Sequence, residues 1–583
     1  MGDGGPGGAE RTLQAVSRSI PALLAAACLV PAGTAHAAND IGPDGACAGS
    51  PIAPTSVVTG TFAAELQGSY VMVPVDVPAG TTALRVKYCY SQPAGPTTAN
   101  AKNTLDLGLW DPKGFRGWGG SSHPDVTVSP RGFSSEAQYL AAPTADVPGM
   151  TTRGFVPGPV TPGRWQVELG IGGVLTPDQG NPPGTVDWRL EIAALTDPAF
   201  ATPAYKPAPY NSTPARRRAG WYVGDLHVHA EHSNLGAATM REVFDYAFSR
   251  RPKGAGLDFI TLTDYVTRSA WGEIGRYQRN FPGKLIIRSA EVITYQGHTN
   301  NQASHHYVDH RLGPVYTRGA DGSLTMTRAA PPPSQIFDAV HRAGGWTQVN
   351  HPRIFPPADN PVYALLCRGC AWLYSDAQTD FRKVDAIEVG TGPATQAPAD
   401  DPGTLDFTAQ AIAYYQHALA SGAHVAAVSV SDSHTAGRVD NPATGTPVGT
   451  GATAVYAKNL SERAVAAAVR AGHTYAKILG AGGPDLRMTA ARRRRRAIMG
   501  DTISGGGKVR FTIGVIGARQ SATPGKGAYV LLVQRNGTTV RQLTVGATNR
   551  TFRLRATRSG RWGLVLMHGK ATAAVSTPIW VTS

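Results

Sequence analysis

Cysteine is scarce in this chain, and so are repeated motifs and long apolar runs. Five cysteines stand among 583 residues. Only one CxxC occurs, in LLCRGCAWL, which argues against a structural zinc site built from two such pairs. No internal repeat is present, so a solenoid is excluded. No uninterrupted apolar run reaches bilayer-spanning length except one near the N-terminus. No aromatic residues are interleaved with the arginine runs, which removes the stacking platform expected of a nucleic-acid binder. What remains is ordinary globular material, 42% hydrophobic and 16% charged, with 68 glycines and 44 prolines that point to many turns. At this length a few domains are expected rather than one core.

The one apolar run near the start has a specific layout. Arg11 and Arg18 precede IPALLAAACLV, which gives way to the small-residue stretch AGTAHA. This is the pattern of a secretory leader cleaved after Ala37. Pro21 and Pro31 bracket the run and argue against a buried helix. No twin-arginine pair is present, so a Sec-type signal is expected. The mature chain, with no membrane span, is then expected to be secreted or held at the cell surface. Cleavage leaves Cys47, Cys89, Cys367 and Cys370, and export permits disulfides. Cys47 with Cys89 would staple an N-terminal β-domain, and Cys367 with Cys370 would close a tight loop.

The net charge is +15. Much of the excess sits in two runs, Arg216–Arg218 and Arg492–Arg496. A basic surface draws anionic partners, but for an exported chain these runs read as solvated linkers, and no nucleic-acid partner is expected.

Three blocks follow the leader. Residues 38–200 alternate short β-like runs (SYVMVPVDVPAG, ALRVKYCY, RWQVELGI, DWRLEIAAL) with turn residues, which predicts a β-sandwich. Residues 201–218 form a proline-rich link. Across 219–482, short apolar strands (LDFITLT, KLIIRSAEV, WTQVNH, DAIEVG, HVAAVSVSDSH, TAVYA) alternate with helix-like stretches, the signature of β/α units and a parallel sheet or barrel. Three of those helices end in Ala-Gly or Ser-Gly, which predicts glycine C-caps. Residues 483–583 return to strand-like segments, with an Asn-Gly hairpin turn in VQRNGTTV, and predict a second small β-sandwich.

The chemistry gathers in 219–482. In LHVH, His227 and His229 are two apart and share one face at a strand end. Glu291 ends LIIRSAEV, and His298 follows in GHTN. His351 follows WTQV, while Asp432 and His434 close VAAVSVSDSH, again two apart. In a β/α barrel the C-terminal strand ends converge on one rim, where active sites form. Imidazoles mixed with carboxylates suit Zn, Mn or Fe and argue against calcium or a thiolate centre. A carboxylate such as Glu291 has an oxygen for each of two ions. Asn350 and Arg353 flank His351, within reach of a phosphoryl oxygen. Arg438 and Asn300 are weaker candidates of the same kind. His305, His306 and His310 read as surface or rim residues, and the segment Asp385–Glu388 as strand-end support without chemistry.

GDLHVH, LDFITLTD, SAEV, GHTN, VNHP, DAIEV and SDSH occur in the order seen in PHP (polymerase and histidinol phosphatase) metallohydrolases. The chain resembles most the exported, carbaryl-hydrolase-like branch, in which GH follows the glutamate closely. The resemblance covers most of 219–480. It implies a multidomain chain whose centre is a distorted (β/α)7 TIM-like barrel, flanked by the two β-sandwich domains, with a di- or trinuclear centre. By position, it puts His227, His229, Glu291 and Asp432 on a first metal, and Glu291, His298 and His351 on a second. Two positions depart from the pattern: Tyr265 stands where trinuclear members have histidine, and Asn234 where an acidic residue is common. With only His434 left, two divalent ions are expected rather than three. A third would need Tyr265 as phenolate, or His232 as a substitute. Asp264 is expected to support a ligand rather than be one, and His434 to bind a substrate anion or protonate a leaving group.

The resemblance implies a secreted metal-dependent hydrolase, foremost a phosphoesterase using a dinuclear metal-activated hydroxide on a small phosphorylated substrate. The same ions would serve a carbonyl substrate in carbamate, ester or amide hydrolysis. A surface binding protein with a decayed centre is the reading from another class, supported by Tyr265 and Asn234.

Overall fold

Short strands that are apolar on both faces need cover on both faces. In the computed structural model this cover comes from helices and from the strands themselves, Leu226, Phe259, Ile287, Trp346 and Val428 sharing one core, and the chain is multidomain and sheet-rich. The structure describes residues 40–583 except 43–44, 49–51, 144–145, 356, 359–363, 366, 368, 393–406, 440–445, 506–507, 519–527 and 547–548. The expected leader, 1–37, lies outside these residues. No helix among the described residues is long and apolar enough to cross a membrane.

The central strands are hydrogen-bonded in the order Ala426–Val430, Ala386–Thr391, Trp346–Val349, Thr299–Gln302, Leu285–Val292, Phe259–Leu262 and Gly220–Val228. Most neighbours are parallel, as the alternation predicts. Thr299–Gln302 runs antiparallel to both neighbours, and Ala452–Ala457, next in the sheet, is antiparallel to Gly220–Val228. Only residues 293–298 join Thr299–Gln302 to Leu285–Val292, too short a link for a crossover, so the chain must turn back on itself. A parallel bridge, Val228 to Ser433, ties the last strand in this order to the segment beyond the first. Its backbone bonds are Asp432 N–H to the His227 carbonyl (3.0 Å) and His229 N–H to the Ser433 carbonyl (2.8 Å).

Helix Met240–Phe248 shows how sequence sets these units. Thr239 and Glu242 form a capping box. The helix buries Met240, Val243, Phe244, Ala247 and Phe248, one stripe at three- and four-residue spacing. Gly344, Gly422 and Gly472, which follow helices as expected, take positive φ of 81°, 93° and 70°. The residues 201–218 are a strap tied along the central unit. Tyr205 donates to Glu273 (2.8 Å), Tyr210 to the Ile286 carbonyl (2.8 Å), and Arg216 pairs with Asp258 (2.8 Å).

The N-terminal region forms two sheets over one core that includes Phe62, Val86, Tyr88, Leu107, Trp165, Leu169 and Trp188. One sheet contains Ser56–Ala63, Thr185–Leu195, Ala83–Tyr90 and Asp125–Val128. The other contains Tyr70–Val77, Gly163–Gly173, Thr104–Asp111 and Gly114–Gly120. The second sheet also takes in Val315–Arg318 and Leu324–Arg328, a hairpin from the central stretch, through the parallel pair Val315 and Tyr70. Cys47 and Cys89 are bonded, with Cα atoms 5.4 Å apart, and Cys367 and Cys370 are also paired.

In the C-terminal region, Thr474–Lys477 carries the central sheet on into Ala571–Ser576, Gly560–His568, Tyr529–Arg535 and Thr538–Gly546. A second sheet, Arg495–Ile498, Asp485–Arg492, Arg510–Ile516 and Arg550–Arg555, shares its core. Asn536 and Gly537 both take positive φ (52° and 83°), as a two-residue hairpin turn requires. The run Arg492–Arg496, read from sequence as a solvated linker, instead makes the end of a hairpin in which Arg492 pairs with Arg495. Its apolar neighbours Ala490 and Ala497 are buried and hold it in the sheet.

The bond between Cys47 and Cys89 closes a separation of 42 residues. Replacing both (C47S/C89S) should lower the unfolding free energy of the N-terminal region by about 4 kcal/mol through chain entropy. The check is the shift of its denaturant midpoint against the parent protein.

Candidate metal centre

Each residue of the site lies at or just beyond a strand end. His227 and His229 are at the end of Gly220–Val228, Glu291 is near the end of Leu285–Val292, and His298 enters Thr299–Gln302. His351 follows Trp346–Val349, and Asp432 follows Ala426–Val430. The bridge between Val228 and Ser433 is what carries Asp432 to the two histidines of LHVH. His351 (φ 25°) and Asp432 (φ 54°) have left-handed backbones that side-chain-bearing residues rarely adopt, a strain that collects at functional sites.

The side chains form two donor sets with one shared member. Glu291 Oε2 lies 3.0 Å from His227 Nε2 and 3.3 Å from His229 Nε2, and Asp432 Oδ1 lies 3.3 Å and 3.1 Å from the same two nitrogens. Glu291 Oε1 faces the other way, 3.2 Å from His298 Nδ1 and 3.4 Å from His351 Nε2. Within each set, the ligand atoms all lie within 4.8 Å of one another. Glu291 is 1% exposed. A buried carboxylate ringed by four imidazoles, with one oxygen for each set, fits two divalent cations of the type that prefer nitrogen and oxygen donors.

Hydrogen bonds behind these groups aim them. His351 Nδ1 donates to the Cys370 carbonyl (2.8 Å), which turns Nε2 toward Glu291. His227 Nδ1 bonds Glu388 Oε1 (2.8 Å), and His229 Nδ1 bonds the Ser233 hydroxyl (3.0 Å). Glu388 also accepts from the His351 backbone N–H, the Thr391 hydroxyl and the Gln348 amide, each at 2.8 Å. One carboxylate therefore holds a histidine from each set. Sequence reading gave Glu388 no chemistry. The available signal was a lone carboxylate inside the apolar strand AIEVGT, every residue of which is buried.

Other expected residues are placed differently. Asn350 was expected to reach substrate, but it is fully buried and its amide donates to Glu291 Oε1 and Asn300 Oδ1, both at 2.9 Å. It orients the shared carboxylate. The Arg353 guanidinium lies over the Tyr414 ring, 4.9 Å from its centroid. Arg438 pairs with Glu242 (2.9 Å). His310, read as a rim residue, is 1% exposed and bonded to the buried Glu168 of the N-terminal sheet (2.7 Å). His305 and His306 are exposed, as expected. Asp264 accepts the Ala230 N–H (2.7 Å) and joins neither donor set. Burial pushes its carboxyl up to about 6.

Of the residues considered for a third ion, Tyr265 and His434 lie together beside His229, whereas His232 and Asn234 have other partners. His232 bonds Ser269 (2.9 Å) and meets the Phe133 ring edge-on. Asn234 accepts the Ser122 N–H (3.1 Å). His434 stacks on His229 at 4.1 Å and donates from Nδ1 to the Asp432 carbonyl (3.1 Å), so its Nε2 accepts from the Tyr265 hydroxyl (2.9 Å). Burial, then the neighbouring His229, lowers His434 to about 4. His434, expected to bind a substrate anion or protonate a leaving group, is thus bonded to Tyr265 beside the first donor set.

Burial opposes charge on His227, but Glu291, Asp432 and Glu388 outweigh it and raise this imidazole well above its ordinary range. His351, buried and bonded to Glu291, is pushed up to about 9 in the same way. Burial opposes ionisation of Glu291 too, yet His227 and the imidazoles bonded to it hold it well below the carboxylate range. The cluster is thus balanced by protons that an incoming cation must displace. Metal affinity should therefore be weakest in acid and climb as pH rises toward about 9, measured by calorimetric titration with Mn²⁺ or Zn²⁺. In the same titration, Glu388→Gln should weaken binding by about 10–100-fold, with an unchanged circular dichroism spectrum.

No family model and no curated protein matches this chain. Among solved structures, it is similar to a two-domain protein from Bacteroides vulgatus containing a predicted PHP-like metal-dependent phosphoesterase (14% identity over 64% of this chain and 100% of that one, TM-score 0.33). It is also similar to a lesion-specific endonuclease from Pyrococcus furiosus (14% identity, 48% and 58%, TM-score 0.27). A third likeness is to a protein from Bifidobacterium adolescentis described as a metal-dependent phosphoesterase (15% identity, 41% and 92%, TM-score 0.23). These likenesses assign the chain to no family.

Proposed function

We propose that this chain is an exported, metal-dependent hydrolase of the PHP type, with a distorted β/α barrel at its centre and phosphoesters as its substrate class. The observation that carries this reading is the division of Glu291, whose two oxygens serve separate nitrogen-rich donor sets. His227, His229 and Asp432 would hold one divalent ion, His298 and His351 the other, with Glu291 common to both. Zn, Mn and Fe match this donor set. Bound ions of this kind supply Lewis acidity and make water acidic enough to be a nucleophile near neutral pH. The disulfide Cys47–Cys89 is compatible with an exported chain.

The chain's own residues supply the rest. Glu388, Ser233 and the Cys370 carbonyl fix which imidazole nitrogen faces the centre. The site is most open beside Asp432 and His434, whose side chains are 26% and 20% exposed. A substrate enters from that side and meets the bonded pair Tyr265 and His434. Tyr265 carries the proton between the two groups, so this pair is placed to hand it to a leaving oxygen. Arg353, two residues beyond His351, would have to leave the Tyr414 ring it lies over to meet a phosphoryl oxygen.

Elemental analysis of protein purified without chelator should find two ions per chain, and three tightly bound ions would overturn the dinuclear centre. His227→Ala and Asp432→Ala should lose metal and hydrolysis together, and activity retained in either would refute the site. Tyr265→Phe should keep both ions and lower kcat by about 100-fold. Phosphate mono- and diesters tested beside aryl carbamates and esters decide the substrate class. A clear preference for the carbonyl substrates would replace phosphoester hydrolysis with the carbamate reading.

A further inference from the structure

The positive charge of this protein is concentrated in one region. Residues 485–583 contain 18 lysines and arginines against two acids, Asp485 and Asp501. That is a net of +16 in a chain of net +15, so the preceding 484 residues sum to −1. No acidic residue occurs after Asp501. Fifteen of the 18 cations are arginine.

The fold arrays several of these cations on one open sheet face. In the sheet Arg495–Ile498, Asp485–Arg492, Arg510–Ile516 and Arg550–Arg555, the residues Leu486, Met488, Ala490, Phe511, Ile513 and Val515 point into the core. The alternate residues face out. Register places Arg510 directly opposite Arg555 and, on its other side, opposite Ala491, which in turn faces Arg496. Arg553 faces Thr512 two residues along the same face. Arg496, Arg510, Arg553 and Arg555 are exposed, and among the described residues their guanidinium groups have no hydrogen-bond or ion-pair partner. Strand spacing of about 4.8 Å and a two-residue step of about 6.7 Å set the mesh of this array.

Like charges directly opposite one another on a sheet are destabilising, and among the described residues no carboxylate pairs with these four arginines. We propose that this face is a docking surface for an extended phosphate polymer, gripped through its oxyanions alone. Guanidinium is the side chain suited to planar, two-pronged contact with phosphate. The two rings on these strands, Phe511 and Phe552, pack against the core, so no aromatic platform is left to stack nucleic-acid bases. The outward positions beside the arginines are Thr489, Ala491, Thr512, Gly514 and Thr551, and the outward apolar side chains, Ile498 and the exposed Ile516, stand apart from one another, which makes no continuous apolar wedge for a bilayer. The partner is thus a polyanion without bases and not a membrane. The inference does not depend on the reading of the metal centre.

Labelled long-chain inorganic polyphosphate, titrated with the whole protein and followed by fluorescence anisotropy, tests it. Binding should be clear at low salt and weaken steeply as salt rises. R510Q/R555Q should lower affinity by about tenfold and reduce the salt slope by roughly 1.4, as expected for two lost phosphate contacts. R217Q/R218Q removes the same charge from the other arginine run and should bind like the parent. Because R510Q/R555Q relieves a like-charge pair, its Tm without polymer should equal or exceed that of the parent. Should it unfold, R496Q/R553Q tests the same array. Hydrolysis of a small phosphoester should be unchanged in R510Q/R555Q, which separates this outcome from the fate of the proposed function. No binding at low salt, or equal losses in the two paired variants, would overturn the proposal. So would at least tenfold tighter binding to single-stranded DNA or phosphatidylglycerol vesicles at matched phosphate.

Discussion

A carboxylate almost wholly removed from water is the constraint around which this protein is arranged. Withdrawing one such ion from solvent costs about several kcal/mol even after the protein relaxes, and Glu291 is tolerated only because positive or polarisable groups surround it. Four imidazoles and the Asn350 amide meet its two oxygens. Those imidazoles come from three strands of the central sheet, and the bridge from Val228 to Ser433 adds Asp432 from a fourth. The strained backbones at His351 and Asp432 are local costs of bringing the side chains in. Glu388, equally buried, repeats the principle one layer out by holding His227 and the His351 backbone together.

Much of this site was legible because strand geometry has a period of two. HxH and DxH each announce two groups on one face, and the apolar runs before them announce strands that end there. The parts that were not legible lack a local pattern. Thr299–Gln302 reads TNNQ, with no apolar alternation: Thr299 donates to the Gln348 carbonyl of the adjacent strand, and the Asn300 and Gln302 amides donate to the Leu226 carbonyl of Gly220–Val228. His310 looked like a loop histidine because its partner, Glu168, lies in another domain. Asn350 sat beside a ligand and was given to substrate, whereas the packed interior turned it toward Glu291. The arginine run resembled a linker because charge is its obvious feature, and the small apolar residues that hold it in a hairpin are inconspicuous.

The N-terminal sheets bear on the site although they hold none of its donors. Trp118 packs edge-on against Tyr265, Ser122 bonds Asn234, and Thr267 donates to the Gly154 carbonyl. Tyr295 bonds Asp106, and His310 bonds Glu168. All five contacts fall on loops that follow, or lie between, the strands carrying the metal-site residues. This region therefore forms one wall of the approach to the cluster and fixes the position of Tyr265 through the packing of its ring.

The hairpin of Val315–Arg318 and Leu324–Arg328 belongs in sequence to the central unit and in space to the N-terminal one. Until it is in place, Tyr70–Val77 has a bare edge, and unpaired strand edges recruit foreign chains. The first two hundred residues thus supply four of the six strands of this sheet. Their sheet stays unfinished until Arg328 has been synthesised, so an expression fragment cut at the proline-rich strap would carry a sticky flank.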